Sequence, residues 1–356
     1  MPPESPLPID TIRPAFAAEG LSVLAVADAT PDPEAEASYE RWLAEGRAGE
    51  MGYMHRHLHA KYRPERMLEG ARSIILVGLG YYLERQAPDR DRGLVSRYAR
   101  GRDYHKTLGK RLKRVARRLA ETYPAHSFRG FTDATPLSER HYAARAGLGF
   151  RGRNTLIIHP ELGSWFFIGE ILTSLALEAT EPDPARRTAC PTRCRRCIEN
   201  CPTGALSGPY ELDARLCISY LTIEYDGPIE PALAARMGTW VFGCDDCQDP
   251  CPLNAGVAET TVEDFRQPIS GDEIDLALLL ALKDDDEVRE RFAGSPLLRA
   301  GRRKLVRNAC IAAANAGARE LLPRIRERVE DNDPVVAQTA AWAAARLSST
   351  LPGRSR

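Results

Sequence analysis

An α+β multidomain fold follows from three features of the sequence. Helix-like and strand-like runs alternate through the first half, a cysteine-dense stretch fills the middle, and helical periodicity dominates the end. At 356 residues the chain is long enough for two or three domains, each with a core of its own. Its composition, 43% hydrophobic and 28% charged, is that of a globular protein. The longest apolar stretch, residues 156–177, is broken by His159, Glu161 and Glu170, so no membrane span is expected. The opening Met-Pro-Pro-Glu-Ser-Pro has neither the basic start nor the apolar core of a secretory signal, and the expected compartment is the cytoplasm.

In chain order, residues 21–27 and 73–79 are β-rich, the second run ending at Gly80. Residues 107–121 place Leu108, Leu112, Val115, Ala116 and Leu119 at helical spacing with cations between them, which predicts an amphipathic helix with a positive outer face. A second helix is expected to start with Thr135 as N-cap and Pro136 at its first position, and to stop at Gly147. A strand is expected over 155–158. Gly147-Leu-Gly149-Phe-Arg-Gly152 spells G-x-G-x-x-G, but it follows a helix and precedes a strand, the reverse of a dinucleotide site, and reads as a turn. Residues 178–187 read as a linker into the cysteine-rich module. Beyond Glu273 the Ala, Leu and Arg periodicity predicts stacked helical pairs, with 296–315 and 333–347 as their second helices. The expected domains are therefore 1–177, 178–265 and 266–356.

Lysine plus arginine and aspartate plus glutamate both number 49, yet the balance hides two basic runs. One comprises Lys110, Arg111, Lys113, Arg114, Arg117 and Arg118; the other comprises Arg299, Arg302, Arg303, Lys304 and Arg307. A polyanionic partner is thus compatible with zero net charge.

Eight of the nine cysteines fall within residues 190–251, a density that in a reducing compartment points to metal ligation rather than disulfides. The ninth, Cys310, sits in a helical pattern and reads as a small buried apolar residue. The bacterial ferredoxin signature is C-x2-C-x2-C-x3-C-P, whose fourth thiolate serves the other of two clusters. Here it reads Cys190, Cys194, Cys197, Cys201-Pro202, with one extra residue in the first gap, followed by Cys217, Cys244, Cys247 and Cys251-Pro252. Crossing over the fourth cysteines gives one [4Fe-4S] cluster to Cys190, Cys194, Cys197 and Cys251, and a second to Cys217, Cys244, Cys247 and Cys201. A pair of structural zinc sites is the alternative, although the two C-x3-C-P endings match ferredoxins and not the usual zinc ribbon. Clusters supply one-electron transfer and leave the substrate open.

Several separate blocks carry a resemblance. They are Met51-Gly-Tyr-Met-His-Arg56, Arg97-Tyr-Ala-Arg-Gly-Arg-Asp-Tyr-His105, Asp133-Ala-Thr-Pro-Leu-Ser-Glu-Arg140, Ala146-Gly-Leu-Gly-Phe-Arg-Gly-Arg-Asn-Thr155, Gly163-Ser-Trp165, Cys217-Ile-Ser-Tyr-Leu-Thr-Ile-Glu224 and Gly243-Cys-Asp-Asp-Cys-Gln248. Together with the cysteines they make residues 10 to 320 similar to the epoxyqueuosine reductase family, cobalamin-dependent iron–sulfur enzymes of tRNA queuosine synthesis. The chain departs from the family pattern at the extra residue before Cys194, which a loop must absorb, at Arg153, where Lys is common, and at Leu253, where Trp is common.

The resemblance implies a nitroreductase-like α/β cobalamin-binding domain, a ferredoxin-like two-cluster module and HEAT-like C-terminal helices. It also implies an activity, the reduction of epoxyqueuosine to queuosine at the tRNA wobble position, with cob(I)alamin supplied with electrons through the clusters. On its own Asp133 reads as a polar turn residue; carried over from the family it becomes the proton donor, facing the cobalt. Arg56, Tyr98, Asp133, Asn154, Ser164 and Asp245 are the implied cobalamin contacts. A tRNA partner gives the basic runs a purpose, with Arg302, Arg303, Lys304 and Arg307 and the 110–118 helix as candidates for backbone contact. An external donor of flavodoxin or ferredoxin type would supply electrons, and the enzyme is expected to be a monomer. A reductive dehalogenase, or a bare ferredoxin-type carrier that needs no cobalamin, are the rival readings.

Overall fold

The order of elements begins α1 (Arg13–Ala17), β1 (Val23–Asp28), α2 (Pro33–Ala44), α3 (Gly52–Arg56), β2 (Ser73–Gly80), β3 (Arg92–Val95) and α4 (Tyr104–Thr122). It continues with β4 (Phe128–Phe131), α5 (Glu139–Arg145), β5 (Phe150–Arg151), β6 (Ile157–Ile158), β7 (Phe166–Thr173), β8 (Trp240–Phe242) and β9 (Glu273–Asp275). Short helices intervene, and two longer ones, Gly301–Ala316 and Pro334–Ser349, close the chain. The computed structural model describes residues 5–85, 89, 91–133, 136–183 and 188–349.

β2 explains the first half. Its sequence is nearly all apolar because both faces are covered, and side chains alternate along a strand. Ile75, Val77 and Leu79 pack with Leu108, Leu112 and Val115 of α4, while Ile74 and Leu76 pack with Tyr142 and Ala143 of α5. Full burial of each such aliphatic side chain contributes roughly 1.5–3 kcal/mol. The sheet is antiparallel throughout, in the order β1-β2-β7-β4. Gly169 of β7 lets α4 approach, since a Cβ there would lie 2.7 Å from Leu112 Cδ1.

A second sheet, β8-β3-β9, joins the three segments of the chain, with β3 parallel to β8 and antiparallel to β9. One core runs through all of them: Val95 and Ala99 share it with Ile223, Val241, Phe242 and the C-terminal residues Leu279, Leu305 and Val336. Boundaries at 177 and 265 therefore do not separate independent cores. Segment 178–183 is not a free spacer either: Glu178 N donates to Leu7 O at 2.9 Å and Thr180 N to Val26 O at 2.9 Å. The rest of the expected linker, 184–187, lies outside the described residues.

Three local expectations need correction. The helix expected from Thr135 begins at Glu139 with Ser138 before it, and Thr135 itself lies outside the described residues. Leu137 is buried with Tyr142 and Leu172, and Ser138 N bonds Lys61 O at 2.9 Å, which holds Pro136 to Ser138 out of the helix. The strand expected over 155–158 shortens to Ile157–Ile158 because Thr155 turns at φ +70° and donates its N–H to Gly152 O. The helix expected from residue 296 is a 3-10 turn, Pro296–Arg299, and then Gly301–Ala316, with Gly301 at φ +64° at the break.

Candidate active site and metal centres

None of the cysteines is in a disulfide. Cys190, Cys194, Cys197 and Cys251 line one small cavity, together with Arg153, Asn154 and Arg196. Burial raises the Cys197 thiol, and the neighbouring charges that raise it further are Cys251 and Cys190. Cys201, Cys217, Cys244 and Cys247 form the other set. Burial pushes Cys247 well up, and Cys217, Asp245 and Cys201 add to it; Cys197 follows, so the two sets adjoin. The cavity brings Cys190, Cys194, Cys197 and Cys251 together, and the neighbours of Cys247 are compatible with the crossed-over grouping of the other four. Eight sulfurs in two closed sets of four fit two cubane clusters.

Local structure accounts for this gathering. The extra residue in the first gap is absorbed at Arg193, which adopts φ +63° and lets Cys194 N return to Pro191 O at 3.0 Å. Arg153 donates from Nη1 to the Cys194 carbonyl. Cys217 precedes the helix Ile218–Ile223. Gly243, at φ +69°, carries the chain into Cys244; its N–H donates to Thr222 Oγ1 at 2.9 Å, and a Cβ there would meet Ser96 Cβ at 2.6 Å.

Asp245, between Cys244 and Cys247, is fully buried. Its Oδ2 accepts from Arg85 Nη2 at 3.0 Å, Arg97 N at 3.0 Å and Arg97 Nη1 at 3.2 Å, and its Oδ1 accepts from Ser96 Oγ at 2.5 Å. Arg97 also reaches Asp249 Oδ1 at 2.6 Å and lies over the Trp165 ring at 4.8 Å. Ser164 donates from N to Asn254 Oδ1 at 2.7 Å and from Oγ to Gln248 Oε1 at 3.0 Å. Asn154 Nδ2 donates to Cys247 O at 3.3 Å. The sequence offered the side chains of Asp245, Ser164 and Asn154 as cobalamin contacts. In the structure all three also fasten the cysteine loops to the first half. Arg56 is exposed at the end of α3, and Tyr98 is half-buried.

Asp133 stands on the loop after β4 at φ +51°, a left-handed backbone rare for a residue with a side chain, and its carboxylate is 49% exposed. Tyr104 Oη donates to Asp133 Oδ2, and His105 Nε2 lies 3.7 Å from the same oxygen. Burial, then the charge of Asp133, pushes the Tyr104 phenol up, so it stays protonated as the donor. Arg299, from the C-terminal part, approaches from the other side. Its Nη2 is 3.3 Å from Asp103 Oδ1 and 2.6 Å from His105 Nδ1, and its guanidinium lies 5.6 Å from the Tyr104 ring centroid. Burial raises the Asp103 carboxyl, but the His105 bonds and the Arg299 charge outweigh it and hold Asp103 below the ordinary range. Glu224 completes the ring of charge: burial raises its carboxyl against the pull of Lys304 and Arg299, with Asp133 adding to the rise. Sequence reasoning missed Tyr104, His105, Arg299 and Glu224 as a group. Tyr104, His105 and Glu224 lie within the matching blocks, whereas Arg299 was visible only as a member of the second basic run.

The second basic run is not a free surface. Arg307 is fully buried and donates to Tyr225 O at 2.7 Å, Gly227 O at 2.8 Å and Leu221 O. Arg302 pairs with Asp331, Arg303 with Asp333 at 2.5 Å and Lys304 with Asp226 at 2.8 Å. Arg307, and with it Arg302 and Lys304, which are mostly buried, are thereby corrected from tRNA contacts to internal ties; Arg303 is half-exposed but paired. On α4, Arg111, Arg114 and Arg118 turn to Glu19, whereas Lys110, Lys113 and Arg117 are exposed.

Comparison with known proteins agrees with this layout. A family model described as epoxyqueuosine reductase QueG, DUF1730, matches residues 61–134, and one described as a 4Fe-4S double cluster binding domain matches residues 190–254, which favours clusters over zinc. The chain is 39% identical over 323 residues to the epoxyqueuosine reductase of Pseudomonas aeruginosa, covering 89% of this chain and 88% of that one. The solved epoxyqueuosine reductase of Streptococcus thermophilus superposes with a TM-score of 0.86 at 29% identity, covering 96% of this chain and 90% of that one. A crystal structure of epoxyqueuosine reductase with a tRNA-Tyr epoxyqueuosine-modified stem loop gives a TM-score of 0.85 at 27% identity, covering 95% and 89%. With its cysteine-rich module and this degree of identity along most of its length, the chain belongs to the epoxyqueuosine reductase family.

Proposed function

We propose that this protein reduces epoxyqueuosine to queuosine in tRNA. The observation that carries the reading is Asp133, an exposed acid on a strained loop, bonded by Tyr104 and placed in the same fold as two four-cysteine sets. Removing an epoxide oxygen as water takes two electrons and two protons. The two [4Fe-4S] clusters supply electrons singly, and cobalamin, when bound, supplies the low-potential centre that acts on the epoxide. The rings of Tyr98 and Tyr104, 6.3 Å apart beside the acid, suit a large flat cofactor, with Arg56, Tyr98, Asp133, Asn154, Ser164 and Asp245 as its contacts. Asp133 delivers the proton to the departing oxygen, and Tyr104 holds the carboxyl in place. The cluster ligands are Cys190, Cys194, Cys197 and Cys251, and Cys201, Cys217, Cys244 and Cys247.

Lys110, Lys113 and Arg117 contact the tRNA backbone while the unpaired base is splayed toward Asp133. In the same reading the first half is nitroreductase-like, the C-terminal helices are HEAT-like, and the enzyme works in the cytoplasm as a monomer, fed by an external one-electron donor. Among the described residues no helix is long and apolar enough to cross a membrane.

Anaerobic incubation of the reconstituted protein with epoxyqueuosine-containing tRNA, cobalamin and dithionite, followed by mass analysis of the digested nucleosides, tests the reading. Loss of one oxygen that requires cobalamin and disappears in Asp133→Asn, with cluster content and tRNA binding unchanged, supports it. An unchanged nucleoside with fully loaded wild-type protein refutes it.

A further inference from the structure

The two cysteine sets differ in their surroundings. The set containing Cys244 and Cys247 is packed behind Asp245, whose side chain has no exposed surface, and against buried Trp240. The set of Cys190, Cys194, Cys197 and Cys251 is bordered by exposed residues, Thr192, Arg193, Arg195 and Arg196. Electron transfer weakens steeply with distance, so a donor must approach the outer set.

That approach is positively charged. Between Thr188 and Ile198 the sequence holds three arginines and no acidic residue, and the first acid after them, Glu199, is only 3.9 Å from Arg195. The residue that lengthens the Cys190–Cys194 gap leaves Arg193 exposed at φ +63°. Tyr210 stands beside this loop, 45% exposed and at φ +67°. Its N–H donates to Arg153 O at 3.0 Å, and Arg153 in turn donates to the Cys194 carbonyl. Arg151 Nη2 donates to Tyr210 O at 3.2 Å, and Arg151 is itself exposed. Non-glycine residues at positive φ concentrate at functional sites, and the described residues contain four, of which Arg193 and Tyr210 are two. An exposed tyrosine among unburied arginines is the composition of a protein-binding hot spot.

We propose that Arg193, Arg195, Arg196 and Arg151, with Tyr210, form the docking surface for a small acidic one-electron carrier protein of flavodoxin or ferredoxin type. The inference rests on the reading that the cysteine sets hold clusters. On docking, the reduced carrier loses one electron and the outer cluster gains it, with no bond made or broken and no proton moved. Opposite charge steers the encounter, which makes the reaction fast and salt-dependent.

The test is stopped-flow reduction of the cluster-loaded, full-length protein, with reduced acidic flavodoxin as one probe and dithionite as the other. Arg193→Glu/Arg195→Glu should lower the second-order rate constant with flavodoxin at least tenfold and flatten its salt dependence. Iron content, the dithionite rate and tRNA binding should not change, and Arg193→Lys/Arg195→Lys should retain most of the rate. An unchanged flavodoxin rate, or loss of tRNA binding in its place, overturns the proposal. Should the charge-reversed double variant lose iron, Arg151→Glu on the separate strand β5 carries the same expectation and decides the matter. Wild-type protein that is reduced by flavodoxin in an arginine-dependent way but leaves tRNA unchanged would refute the substrate reading and leave this one standing.

Discussion

The Arg97 guanidinium bridges two carboxylates, Asp245 at 3.2 Å and Asp249 at 2.6 Å, and so ties the loops that carry Cys244, Cys247 and Cys251 to the first half of the chain. Truncation to Met leaves fully buried Asp245 to rely on Arg85 for its cation. Breaking a buried pair from one side costs roughly 3–5 kcal/mol. Arg97→Met should lower the denaturation midpoint accordingly and reduce bound iron. Arg97→Lys keeps the charge but loses the planar fork, and should fall between wild type and Arg97→Met. A variant with wild-type stability and iron would show that the bridge is dispensable.

Cysteine replacements should sort into two classes. Cys190→Ser and Cys251→Ser each remove about half the iron, and the double variant loses no more than either alone, because both ligands serve one cluster. Cys201→Ser combined with Cys251→Ser should remove nearly all of it. Iron and sulfide analysis decides; if Cys251 groups with Cys244 instead, the crossed-over ligand assignment is wrong.

On α4, Lys110→Glu/Lys113→Glu should weaken tRNA binding and flatten the slope of log K against log salt by roughly 0.7–0.9 for each phosphate that is no longer neutralised. Arg307→Ala should leave that slope unchanged while lowering stability, since its partners are carbonyls inside the protein. Titrations at several salt concentrations separate the two outcomes.

How much of this was legible in the sequence depended on whether an interaction is local. Cysteine spacing is local and chemically demanding, so both foursomes could be written down from residue numbers. The α4 periodicity was equally plain. Arg302 to Arg307 misled because charge alone does not reveal burial; the hint lay in Leu305, Val306, Ala309 and Ala312, which surround the helix with buried neighbours on every side. Asp133 was visible only through the family resemblance, since Tyr104 and His105 approach it from a distant helix and Arg299 approaches from another part of the chain altogether. No local pattern encodes such a meeting.

Acid should loosen the C-terminal helices as Asp331 takes up its proton. Burial raises the Asp331 carboxyl, but bonds from Arg302, the Asp333 amide and Arg328 outweigh it and hold it down to about 2. A group depressed in the folded state stabilises fully above its unfolded value, near 4, and that contribution fades as pH falls toward 2. Asp331→Asn should remove about 1–2 kcal/mol at pH 7 and little at pH 2. Helical signal against pH in the two proteins measures the difference; parallel curves would assign Asp331 no such role.

The β8-β3-β9 sheet also sets a timetable. β3 leaves the ribosome with neither neighbour yet made, and its edges wait for strands synthesised far downstream, on the order of ten seconds later at ordinary elongation rates. Until then an unpaired strand invites wrong pairing, and the inner cysteines lack the wall against which they will pack. Nascent chains therefore pass through a period in which this strand is unpaired and open to wrong pairing.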